Sequence, residues 1–307
     1  MTDQCPVCSL TGKKFRNTAK GNVPMNFYHC SSCDIDYTEH WNDEKRVYSF
    51  YKKDNYVFKP NITGKSMKYD EYQGRYDNIV PHLDKNVRLL DIGCGDGTFL
   101  KMIKSHVAEA EGTEITTHHV TELRKDGFRI WDSLLHNIKP EKPYDVICLF
   151  ALLEHVPNVK VFLKDLKSRF IHDNTQVFIE VPNLLDPLAN IYDILEYRDF
   201  YYRQYHLYYF SEYGLKKLLA DIGFDCETMP LLQASLTNHF HWMHNGTGQA
   251  NTTDMSNVVL PQKLLREKSP AGKDVFDLLN ELDDIYREKM LSNGIGDLIF
   301  CRAWQQK

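Results

Sequence analysis

The chain has 307 residues, enough for one large α/β domain with an appendage, and its 42% hydrophobic and 26% charged content is ordinary for a globular protein. A formal net charge of −5 supplies no global positive field, so nucleic acid is not an expected partner. No apolar run reaches bilayer-spanning length and no signal-peptide pattern opens the chain, so the expectation is a cytoplasmic protein with no membrane partner and reduced thiols.

The first 40 residues read as a zinc ribbon. Cys5-Pro6-Val7-Cys8 and Cys30-Ser31-Ser32-Cys33 are paired Cys-x-x-Cys units with 21 residues between them. Each unit brings two thiolates onto one turn, and two turns complete a tetrahedral Zn²⁺ site with no position left for water, hence a structural one. Two disulfides or a redox pair are the alternatives, and His29 beside Cys30 offers a substitute ligand. The ribbon carries a basic cluster, Lys13, Lys14, Arg16 and Lys20. Cys94, Cys148, Cys226 and Cys301 are scattered and suit core packing.

Residues 41–86 read as a helical connector that covers a ligand, with Tyr48, Phe50, Tyr51, Tyr56 and Phe58 as candidate covering groups. Tyr72 and Arg75 immediately precede the first strand of the sheet, and an arginine there suits a ligand carboxylate. Residues 87–307 form the main domain. An apolar run from Val87, read as a buried strand, ends in Asp91, and Ile92 leads into Gly93-Cys94-Gly95-Asp96-Gly97 and a helix bearing Phe99, Met102 and Ile103. Strand, glycine turn and helix in that order bind a nucleotide-like ligand at the carboxyl ends of a doubly wound sheet. A second strand delivers Glu114, with Ile115 after it, about 20 residues further on, where an acid receives ribose hydroxyls. Asp91 and Asp96 would repel a pyrophosphate and suit a ligand bearing an ammonium or sulfonium.

Strands and helices then alternate, which implies parallel pairing. The next strands are 128–131, ending at Asp132-Ser133, and 144–150, followed by Ala151 and the tetrad Leu153-Glu154-His155-Val156. A helix stripe follows at Val159, Phe162, Leu163, Leu166 and Phe170, then a strand at 176–181. Residues 184–210 form an aromatic insertion ending in Tyr205-His206-Leu207-Tyr208-Tyr209-Phe210, read as the substrate-binding segment. Ser211 caps a helix stopped by Gly223, and 224–228 is the sixth strand. A long insert spans 230–295. It holds His239, His241 and His244 (a possible second metal cluster by composition) and a polar stretch at 245–257. It closes with a helix patterned on Val275, Leu278, Leu279, Leu282 and Tyr286. Residues 296–303 form the last strand.

The Leu90-Asp91-Ile92-Gly93-Cys94-Gly95-Asp96-Gly97 motif resembles the first motif of class I S-adenosylmethionine-dependent methyltransferases. The resemblance implies a seven-stranded Rossmann-like sheet with its last strand antiparallel, S-adenosylmethionine as cofactor, and adenine contacts at Asp132 and Ser133. With the N-terminal knuckles and the His-Leu-x-Tyr-Phe-Ser ending, most of the chain resembles the sugar C-methyltransferases of deoxysugar pathways. The Glu usual before that His is Tyr205 here, and Asn238-His239-Phe240-His241-Trp242 stands where His-Gly-Gly would. These departures suit O- or N-methylation of a saccharide, nucleotide-sugar or similar small polar acceptor. A hydroxyl acceptor needs a base. His206 is the first candidate and His155 the second, with Tyr205, Tyr208 and His239 lining the acceptor pocket. An RNA base methyltransferase that reads RNA through the ribbon, and a non-catalytic cofactor-binding scaffold, are the other readings.

Overall fold

The computed structural model describes residues 3–17, 24–45, 48, 68–246 and 270–306. Three short strands open it, β1 (Lys13–Asn17), β2 (Asn26–Cys30) and β3 (Ile35–Thr38), paired as an antiparallel meander. Helix α1 (Lys68–Ile79) leads into β4 (Arg88–Ile92), and the glycine turn passes to α2 (Thr98–Ile103). Then come β5 (Glu109–Thr113), α3 (Thr117–Lys125), β6 (Arg129–Trp131) and β7 (Tyr144–Phe150). They are followed by α4 (Val159–Arg169), β8 (Ile171–Pro182), α5 (Leu195–Tyr201) and the short β9 (Tyr208–Phe210). The chain finishes with α6 (Glu212–Ala220), β10 (Phe224–Leu231), α7 (Leu236–Asn245), α8 (Pro270–Leu291) and β11 (Leu298–Gln305).

Seven strands form one sheet in the order β10-β11-β8-β7-β4-β5-β6. The pairs from β8 through to β6 are parallel, and β11 runs antiparallel to both its neighbours. Helices cover both faces of a parallel sheet, so its central strands need apolar residues throughout rather than in alternation. β7 shows this: every residue from Tyr144 to Phe150 is buried except Asp145. The strand order reverses at β4, which opens a crevice at the carboxyl ends of β4 and β5.

The ribbon and the aromatic insertion are distant in sequence but share a sheet. β9 pairs antiparallel with β3, giving a second sheet ordered β1-β2-β3-β9. With a strand on each side, β3 is buried along its whole length. The insertion supplies much of that interface: the Tyr202 hydroxyl donates to Asp36 Oδ2 at 2.7 Å, and Ser211 Oγ donates to the Asp34 carbonyl at 2.8 Å while accepting from Gly214 N to cap α6.

One strand boundary differs from expectation. β8 begins at Ile171 rather than Gln176, because Ile171 pairs with Tyr144 across a register irregularity. The helix expected from its apolar stripe is present as α8, but Val275, Leu278 and Leu282 are exposed by 46%, 52% and 43%, while Tyr286 hydrogen-bonds Tyr192. Among the described residues no helix is long and apolar enough to cross a membrane.

Candidate active site

A cavity of about 520 Å³ opens at the ends of β4 and β5, within the usual size of a small-molecule site. Asp91, Gly93, Cys94, Gly95, Glu114, Ile115, Ser133, Ala151, Tyr72, Arg75 and His155 all line it. Tyr48 lines it too, whereas Phe50, Tyr51, Tyr56 and Phe58 lie outside the described residues. Asp132 is exposed and is not part of the lining; its neighbour Ser133 faces the cavity instead.

The glycines of the turn have different tasks. Gly95 has φ +56° and no heavy atom within 4 Å of where a Cβ would stand, so its backbone faces open cavity. Gly97 has φ +71°, but a Cβ there would stand 2.2 Å from Leu123 Cδ2. Gly97 therefore packs α2 against α3 and does not reach the cavity, contrary to its expected role as a cofactor contact.

Asp91 is fully buried, and burial together with the nearby Glu114 charge pushes its carboxyl up to about 7, with Arg75 pulling the other way. Glu114 is held by backbone donors: Oε2 accepts from Gly95 N at 3.0 Å, and Oε1 from Ile115 N and Thr116 N at 2.8 and 2.7 Å. The carboxylate thus clamps the glycine turn to the end of β5. Each carboxylate oxygen can accept more than one bond, so capacity for ligand hydroxyls is retained. Ala151, just after β7, sits at φ +47°, a strained conformation for a residue with a Cβ, and its N–H donates to the Glu180 carbonyl at 2.9 Å.

Arg75 reaches the cavity but is held differently from the expectation of an arginine waiting for a ligand carboxylate. Its Nε donates to Glu180 Oε1 at 3.0 Å, its Nη2 donates to the same oxygen, and the guanidinium lies over the rings of Tyr72 and Phe150 at 5.0 and 4.9 Å. Glu180, near the end of β8, is the buried partner that holds Arg75 at the cavity, a positioning role that the sequence reading missed. A lone acid within an apolar strand was its only signal.

The opposite wall is built around His155. Its Nδ1 lies 2.9 Å from the Tyr205 carbonyl, and Glu154 Oε1 stands 3.9 Å from its Nε2. The His206 ring meets it edge to face with centroids 4.7 Å apart. Burial pushes His155 down to about 4, drives His206 well below the ordinary histidine range, and raises Glu154 to about 8. Of the five residues expected around the acceptor, only His155 lines the cavity. His206 stands behind it, and Tyr205 stacks on His155 at 5.7 Å. Tyr208 is a core residue of β9 whose hydroxyl donates to the Trp41 carbonyl at 3.1 Å. His239 lies on α7 with Nδ1 2.6 Å from the Tyr286 hydroxyl. Tyr208 and His239 are therefore packing residues here. Among the described residues His239, His241 and His244 form no metal-binding group.

The four ribbon thiols do converge. All four sulfurs lie within 4.8 Å of one another, and Cys8 Sγ is 3.6 Å from Cys30 Sγ. A tetrahedron of sulfurs about 2.3 Å from zinc has edges of roughly 3.8 Å, so the donor set fits that ion. His29 is not part of it; its Nδ1 pairs with Asp36 Oδ1 at 2.9 Å. Within the basic cluster, Arg16 is ion-paired with Asp199, and Lys20 lies outside the described residues.

A parallel sheet with one antiparallel strand beside its fifth parallel member, and acids closing β4 and β5 around a glycine turn, is the build of class I S-adenosylmethionine-dependent methyltransferases. The chain belongs to the methyltransferase-domain family, whose model matches residues 66–229, more than half its length. Among solved structures it is similar to a SAM-dependent methyltransferase from Archaeoglobus fulgidus, at 18% identity over 78% of this chain and 95% of that one, with a TM-score of 0.49. It is also similar to the YcgJ protein from Bacillus subtilis, at 13% identity over 76% of this chain and 99% of that one, with a TM-score of 0.46.

Proposed function

We propose that this methyltransferase acts on an oxygen or nitrogen of a small polar acceptor, a saccharide, nucleotide-sugar or related metabolite, and that its ribbon carries one structural Zn²⁺ on Cys5, Cys8, Cys30 and Cys33. The observation that carries the acceptor reading is that one cavity holds the carboxylates Asp91 and Glu114 together with an uncharged imidazole, His155, backed by His206. S-adenosylmethionine supplies a methyl group on a sulfonium sulfur. Asp91 offers a carboxylate to the cofactor's cationic end, and Glu114 is placed for ribose hydroxyls.

The acceptor's proton is taken up at the His155 end. With Nδ1–H donating to the Tyr205 carbonyl, the neutral ring of His155 presents a basic Nε2. His206 stands behind it and fixes its plane, so the two exchange the roles expected from the sequence, His155 meeting the acceptor. Tyr48 and Tyr72, which line the cavity, offer ring faces suited to a polyhydroxylated ligand. The test is a cofactor-consumption assay on the full-length protein against a panel of nucleotide sugars and sugar phosphates. Turnover on at least one member, absent in His155→Ala, is expected. Turnover only on RNA would sink this acceptor class.

A further inference from the structure

Helix α8 carries an apolar seam that the described residues leave uncovered. Val275, Leu278, Leu282 and Ile285 follow one another at alternating steps of three and four residues, the pattern of a coiled-coil seam, and their exposures run from 43% to 56%. The helix cannot turn to bury them, because its inner side is fastened. Asp283 accepts from Leu236 N at 2.6 Å, the Tyr286 hydroxyl meets that of Tyr192 at 3.0 Å, and Arg287 donates to the Gln233 carbonyl at 3.3 Å. Single exposed apolar residues need no explanation, whereas a continuous strip of this kind marks an interaction surface. None of its residues lines the cavity, so the surface is separate from the site described above.

The charges beside the seam select what covers it. Asp274, Glu281 and Glu288 are exposed along one flank, each about 10.5 Å further along the axis than the last, with Asp284 next to them. Asp277 is ion-paired with Lys273, whereas the other four carboxylates have no ion pair among the described residues. The opposite flank holds the half-buried Leu279 and Tyr286 instead of charges. Flanking positions of this kind choose a helical partner by charge.

We propose that α8 docks an amphipathic helix of a partner protein whose apolar seam is bordered by lysines or arginines. The partner's apolar side chains fill the spaces between Val275, Leu278, Leu282 and Ile285, and its cations pair with Asp274, Glu281 and Glu288. A second copy of this chain is a poorer occupant, because an antiparallel pairing of two α8 helices across a two-fold axis sets acid row against acid row. The same row repels an anionic membrane surface. Lys289, exposed at the C-terminal end of the seam, closes it there.

Fluorescence anisotropy on the full-length protein tests this with two labelled synthetic helices. Both carry leucine at the seam positions, one flanked by lysines and the other by glutamates. The expected result is saturable binding of the lysine-flanked helix, about 10-fold or more tighter than the other and weakening as salt rises. Leu278→Ser combined with Leu282→Ser keeps every carboxylate and should weaken that binding about 10-fold or more, with S-adenosylhomocysteine binding unchanged. Glu281→Lys combined with Glu288→Lys should reverse the preference between the two helices. No binding of either helix, or binding indifferent to the serine pair, overturns the proposal. Three further results overturn it by giving the face another occupant: a dimer in sedimentation that the serine pair dissolves, binding through α8 to vesicles of anionic phospholipid, or binding of the lysine-flanked helix only after deletion of residues 247–266.

Discussion

Leu207 N donates to the Glu154 carbonyl at 2.6 Å, so the residue next to His206 is fastened to the residue next to His155. On its other side, the Leu207 carbonyl accepts from Thr38 N at 3.0 Å, which belongs to the ribbon sheet. One residue thus links the N-terminal ribbon, the imidazole pair and the end of the catalytic sheet. The position of His206 is a tertiary property, set by contacts to two segments far away in sequence.

His155→Ala and His206→Ala should each lower turnover by roughly 10²-fold or more, the scale of losing a proton acceptor or its support. Their S-adenosylhomocysteine affinity should stay within a few-fold of the unaltered protein, measured by calorimetry. Normal turnover with lowered thermal stability would make the pair structural.

Asp91 gives a pH dependence with a definite sign. Its carboxyl is raised from 3.8 to about 7 in the ligand-free chain, so the folded state holds a proton that the unfolded chain has released between those values. Stability of the ligand-free protein should therefore fall as pH rises through 7. Affinity for the cationic cofactor should move oppositely, weakening about 10-fold from pH 8 to pH 6. Calorimetric titration of Asp91→Asn should show weaker binding with that dependence flattened; an unchanged slope would assign it to another group.

The two glycines of the turn should separate in their effects. Gly97→Ala forces a Cβ onto Leu123 and should cost about 1–3 kcal/mol of stability. Gly95→Ala meets no such contact, so its melting temperature should fall less while its larger effect is on cofactor affinity. Equal losses of stability would contradict the packing role of Gly97.

Local features were the legible ones. The strand ending in Asp91, its glycine turn and Glu114 could be read directly because each depends on a few neighbouring residues. The Ser211 cap and the stripe on α6 were visible for the same reason. Contacts between distant segments were not: β9 with β3, Arg75 with Glu180, and His155 with His206 have no signature in either partner alone. Tyr208 and His239 looked functional by residue type and proved to be packed. Apolar periodicity on α8 predicted a helix correctly but not that its stripe would lie exposed among the described residues.

The ribbon's link to the site makes metal removal informative. Elemental analysis should return about one zinc per chain, the four thiols being its ligands. Stripping it with a strong chelator, or replacing Cys30 by Ser, should disrupt β3 and release β9 and the His206 loop. Turnover should then be lost before S-adenosylhomocysteine binding, because the cofactor end is built from β4 and β5. A metal-free protein with full turnover would contradict this coupling.

The central claim, that the cavity at the ends of β4 and β5 binds S-adenosylmethionine for methyl transfer, is tested most directly by calorimetric titration of the full-length protein with S-adenosylhomocysteine. The account predicts a single site per chain, strongly weakened by Gly95→Val and by Asp91→Asn. No binding, or binding unaffected by either substitution, would contradict it.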